Sequence, residues 1–112
     1  MSGDASARRG LIRQGDLLLV PVRVPSLVSA VRSGRLVLAE GEATGHAHVV
    51  DDERASLHRV RGNDTWFLRV EDGEPVLLVH EEHDALSVLP GVYEVRRQRE
   101  YVPREVSRWV RD

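Results

Sequence analysis

The chain has 112 residues, 41% of them apolar and 30% charged, with no cysteine and a formal net charge of −2. That is the length of one domain, too charged for a membrane-embedded chain and too apolar for a disordered one. The absence of cysteine excludes disulfides, thiolate metal sites and thiol nucleophiles. All sixteen basic residues are Arg, which excludes lysine Schiff bases and a lysine phosphate loop. Charge is unevenly spread: residues 1–40 carry net +3, 41–90 net −7 and 91–112 net +2. A uniformly basic nucleic-acid binder does not fit that layout. MSGDASARRG lacks the apolar stretch of a signal peptide, and no apolar run approaches a spanning helix, so a cytoplasmic protein without a membrane partner is expected.

In chain order, residues 1–10 read as a flexible arm and 11–112 as a single mainly-β domain. Val occurs 18 times, and β-branched side chains favour pleated, half-buried positions. Asp16–Val24 reads as a strand, with Pro21 suggesting an edge or a bulge. Pro25–Arg32 suits one or two helical turns. Arg35–Glu40 and Thr44–Asp51 follow as strands, then Ser56–Arg61, Thr65–Glu71 and Pro75–His80. Gly62-Asn63-Asp64 and Glu71-Asp72-Gly73-Glu74 are turn sequences between them. Ala85–Leu89 and Val92–Arg97 complete the set, joined at Pro90-Gly91. Short strands at this spacing predict a small β-barrel or sandwich. After Pro103 the period changes, and Val106, Trp109 and Val110 fit one face of a short C-terminal helix.

The chemistry-bearing signal is histidine. Four of the five form two tight pairs, His46-Ala47-His48 and His80-Glu81-Glu82-His83. Residues two apart on a strand face one side, so His46 and His48 point together. A bend after His80 brings His83 to the same centre. Three or four imidazoles, with or without a carboxylate, suit a divalent transition metal: zinc first, with nickel, copper or iron as alternatives. Acidic residues crowd both segments and favour a cation. Gly41 and Gly45 precede the first pair, where a close approach or a positive φ is expected. Beside a metal-bound water, Glu81 or Glu82 is the candidate general base, and on an extended backbone only one of them faces the metal. His58, alone on an alternating strand, reads as a surface or hydrogen-bonded histidine.

Part of this pattern resembles the first cupin motif, a Gly ahead of HxH and a Glu behind it. Here Gly41 stands five positions before His46 rather than six, Glu53 follows His48 by five, and no histidine follows Pro90-Gly91. That resemblance covers one motif and implies metal in a small β-barrel. A second resemblance spans residues 14–104. Gln14-Gly15-Asp16, LVLAEGEATGHAH at 36–48, HEEH at 80–83 and LPGVYEVRRQREY at 89–101 are similar to a small bacterial and phage-associated family. Its pattern runs QHGD, LAEGExTGHxH, HEEH and PGxYxV with REY behind; position 13 departs, being Arg. The family has no established activity. The resemblance implies that the four histidines act as a unit and names no reaction.

Other chemistries find little support. No serine sits in a Gly-x-Ser-x-Gly elbow, and the scattered glycines make no phosphate loop. The competing class is an RNA- or protein-binding module using Arg96, Arg97, Arg99, Tyr101, Arg104 and Arg108 through arginine–phosphate contacts and aromatic stacking. Aromatics are only 4%, and a core this small claims some of them. The sequence therefore predicts a metal-binding β-barrel accessory protein with a structural or sensing role, its site formed by His46, His48, His80 and His83. The arginine module is the first alternative, and a metal-dependent hydrolase or oxygenase with an open coordination position is the second. A homodimer is compatible with either.

Overall fold

In the computed structural model, residues 10–23, 32–40, 45–59 and 64–97 are described. They form eight strands: β1 (Ile12–Gln14), β2 (Leu17–Pro21), β3 (Arg32–Glu40), β4 (Ala47–Arg59), β5 (Trp66–Val70), β6 (Val76–His80), β7 (His83–Val88) and β8 (Gly91–Arg97). All pairings are antiparallel, in the order β1-β2-β8-β5-β4-β6-β7, with β3 laid on β4. The sheet curls into a nearly closed barrel. No helix occurs among the described residues, and none there is long and apolar enough to cross a membrane.

Alternation builds the interior. Along β6, Val76 and Leu78 are buried while Leu77 and Val79 are exposed, so His80 continues the inward row. Leu17, Leu19, Leu36, Val50, Leu57, Leu68, Val70, Val88 and Tyr93 fill the rest of the core. Tyr93 is fully buried, and its hydroxyl donates to the carbonyl of Leu89 at 2.7 Å. A buried phenol with its proton satisfied keeps its apolar gain without a desolvation penalty.

Three expectations need correction. Thr44–Asp51 and Ser56–Arg61 are not separate strands: β4 runs unbroken from Ala47 to Arg59. Its register against β3 jumps from Arg35↔Asp51 to Ser33↔Ser56, so the acidic stretch bends the strand without ending it. Asp52 holds the bend, accepting from the Arg54 amide at 2.9 Å and from its guanidinium at 2.8 Å. Pro21 does not mark an edge strand, because β2 lies between β1 and β8. β1 covers only Leu17–Leu19, however, and Val22 donates toward β8 (3.0 Å to the Val92 carbonyl). Amides alternate in direction, so the missing N–H of Pro21 falls on the side that β1 does not reach. Arg32 opens β3 and does not close a helical turn. The rest of the expected turn, the N-terminal arm up to residue 9 and the C-terminal helix lie outside the described residues.

Candidate functional site

The two histidine pairs meet at one end of the barrel. His48, the second residue of β4, lies on the same side as Val50, a core residue, and is itself buried. His46, two residues earlier, shares that parity. His80 ends β6 on the inward row. His83 reaches it through a bulge: Leu78 pairs with Leu86, but His80 pairs with His83, so β7 carries one extra residue. Without that residue Asp84 would stand opposite His80, and His83 would face outward. The ring centroids lie 4.2 Å apart for His48–His80, 4.7 Å for His80–His83, 5.8 Å for His46–His80 and 6.1 Å for His48–His83.

Around the rings stand residues to which sequence reasoning gave no role in the site. Gln14, at the end of β1, is buried. Its amide nitrogen donates to the Leu78 carbonyl at 3.0 Å and the Asp84 carbonyl at 2.9 Å, on either side of the β7 bulge. Its oxygen lies 2.8 Å from Nδ1 of His48. One side chain therefore ties β1 to the β6–β7 hairpin, satisfies two carbonyls at the bulge and orients a histidine. Gly15 has φ +61°, and a Cβ there would stand 2.7 Å from Nε2 of His83. The missing side chain is what admits that ring. Asp16 Oδ1 lies 3.6 Å from Nε2 of His48, and its Oδ2 accepts from Arg97 at 3.1 Å. Gln14-Gly15-Asp16 entered the sequence reading only through the family resemblance, and only the register shows that it forms a wall of the site.

The two glutamates divide differently from the expected alternation, because they sit in a turn. Glu81 Oε1 accepts the Ala47 amide at 3.0 Å, stitching the second pair's turn to the first pair's strand. Glu82 Oε2 lies 3.4 Å from Nδ1 of His46, and its amide donates to Nδ1 of His80 at 3.0 Å. Both carboxylates are thus engaged at this end of the barrel. Gly45 has φ +75°, as expected beside the first pair; Gly41 lies outside the described residues. Glu53, the carboxylate of the partial cupin motif, is exposed at the β4 bend. His58 is buried with Nε2 2.8 Å from the Ser56 hydroxyl, a satisfied histidine away from the cluster.

Electrostatics favour neutral imidazole at the centre. Burial is the largest influence on His48 and lowers its pKa; the charges of His80 and His83 add to this, and Asp16 opposes it. Burial acts to raise Asp16, but the hydrogen bond and charge of Arg97, with help from His48, hold it below its ordinary value. Glu81 is lowered chiefly by the Ala47 amide. As the rings stand, no three His, Asp or Glu side chains among the described residues are placed to hold one metal ion. The imidazole pairs lie edge to face, tilted or, for His48 and His83, stacked.

The arginines expected to form a basic surface are paired. Arg96 donates to Glu94 at 2.9 Å and Arg97 to Asp16 at 3.1 Å, while Arg59 and Arg32 lie over the Trp66 ring at 4.3 and 5.1 Å. Beside them is a cavity of about 470 Å³ lined by Leu38, Thr65, Trp66, Val95, Arg96 and Arg97, with no histidine in its wall. Arg99, Tyr101, Arg104 and Arg108 lie outside the described residues.

A family model described as a domain of unknown function, DUF8820, matches residues 13–98, well over half of the chain. The chain belongs to the DUF8820 family. The matched span runs from just before Gln14 through Arg97, so the histidine cluster and its Gln14-Gly15-Asp16 wall fall inside the DUF8820 domain. No curated protein and no solved structure matches the chain.

Proposed function

We propose that this protein binds one divalent transition-metal ion, zinc foremost, through His46, His48, His80 and His83. On this reading it serves as an accessory module in which the ion has a structural or sensing role. One observation carries the reading: a one-residue bulge sets His83 opposite His80 and gathers four of the five histidines at one end of the barrel. His48 is buried, and burial with the neighbouring imidazoles lowers its pKa, so its ring is poised as a neutral donor that a cation would satisfy. Neutral imidazole is also the form that ligates.

Binding requires a rearrangement. Nδ1 of His80 accepts the Glu82 amide, so a neutral His80 carries its proton on Nε2. Ligation through either nitrogen breaks that hydrogen bond and turns the ring. The metal then competes with one turn hydrogen bond worth about 1 kcal/mol, small against the binding energy of several imidazoles. Calorimetric titration of metal-free protein with Zn²⁺ tests the reading. One equivalent is expected to bind, and His48→Ala or His80→Ala is expected to weaken it more than tenfold. Absence of heat with Zn²⁺, Ni²⁺, Cu²⁺ and Fe²⁺ alike would overturn it.

A further inference from the structure

Gln14 decides the tautomer of His48. Its amide nitrogen is committed to two carbonyls, Leu78 and Asp84. The amide oxygen must therefore be the atom facing Nδ1 of His48, at 2.8 Å. An oxygen cannot donate, so Nδ1 carries the proton and a neutral His48 presents the lone pair of Nε2. What that lone pair faces is Oδ1 of Asp16, at 3.6 Å. Two electron-rich atoms opposed at this distance are held there by the fold: Gln14 fixes the ring, and Arg97 fixes the carboxylate through its other oxygen.

The separation has a chemical meaning. Two ligand atoms each ~2.0–2.2 Å from one ion stand roughly 3–3.6 Å apart at ordinary coordination angles. We infer that Asp16 is a metal ligand of this site, taking a divalent cation jointly with Nε2 of His48, while Arg97 positions the carboxylate from behind. The inference rests on the metal-binding reading and extends it. The ion sits on the side of His48 facing the Gln14-Gly15-Asp16 turn, and the donor set is mixed nitrogen and oxygen. Nε2 of His83 lies against Gly15 in that turn, so His83 can supply a third ligand, and His80, its ring 4.2 Å from that of His48, joins on turning.

A mixed set reads out spectroscopically, because the visible bands of Co²⁺ report the number and type of its ligands. The experiment is titration of Co²⁺ into metal-free wild type, Asp16→Asn, Asp16→Glu and Arg97→Gln, with thermal melts to establish that each folds. Asp16→Asn is expected to bind at least tenfold more weakly with altered bands. Asp16→Glu is expected to recover part of the affinity, and Arg97→Gln to keep the wild-type bands. Wild-type bands and affinity in Asp16→Asn would refute the role of Asp16 and leave the histidine site standing. Equal weakening in Arg97→Gln and Asp16→Asn, with unchanged bands in both, would show that Asp16 acts only through the fold. No Co²⁺ bands in the wild type would remove the metal site itself.

Discussion

Two regions flanking the Arg96–Arg97 end of β8 present opposite chemistry. Beside Trp66 the guanidinium groups each have a partner: Arg96 bonds Glu94, Arg97 bonds Asp16, and Arg59 and Arg32 lie over the indole ring. At the histidine end the groups are committed on one side only, with Nδ1 of His48 held by Gln14 and Nε2 turned toward Asp16. A nucleic acid approaching Trp66 must displace cations from the ring and carboxylates from the arginines before gaining anything. A cation approaching His48 finds a lone pair and a carboxylate already aimed. Residue type alone does not make a site; what decides is whether the fold has left its valence unused.

The largest way to break this contrast is Gln14→Leu. It leaves the Leu78 and Asp84 carbonyls and the His48 N–H without partners, at about 1–3 kcal/mol for each buried group. A total loss near 3 kcal/mol is expected in urea denaturation, with Zn²⁺ affinity falling as well; wild-type stability would mean that Gln14 does not hold the bulge. Gly15→Ala comes next. A β-carbon at φ +61°, 2.7 Å from the His83 ring, should cost about 1–2 kcal/mol and weaken metal binding out of proportion to stability.

Acid gives a smaller, graded effect. His48 is held below 6.5, chiefly by burial. Between its folded pKa and 6.5 the unfolded chain therefore binds more protons than the folded one. Stability of the metal-free protein is accordingly full above about pH 6.5 and falls as the pH is lowered through that window. His48→Gln should flatten this slope in melts taken between pH 7 and pH 5; an unchanged slope would place the acid sensitivity elsewhere. The smallest effect is expected on the other face. Arg96→Ala removes a partly exposed ion pair with Glu94 and should change stability by about 0.5 kcal/mol or less, with Zn²⁺ binding intact.

Much of the barrel was legible, because β5, β6 and β8 carry alternating β-branched and aromatic residues between clear turns. His46 and His48 both lie near His80, although His46 precedes the first residue of β4. β4 was misread at Asp51-Asp52-Glu53-Arg54, where an acidic run looks like a break; local Asp52–Arg54 bonds instead keep the backbone extended through a bend. β1 is three residues long, too short for any period to show. The turn of His83 depended on one extra residue in β7, and nothing in its composition marks that count. Gln14 and Asp16 became site residues only through register, since the residues they touch lie thirty or more positions away.

The most direct test of the central claim is metal content by elemental mass spectrometry on untagged protein purified without chelator. The account predicts close to one equivalent of a single divalent transition metal, lost in the His46→Ala/His48→Ala double variant. Protein that carries no metal, and whose melting temperature does not rise with added Zn²⁺, Ni²⁺, Cu²⁺ or Fe²⁺, would contradict it.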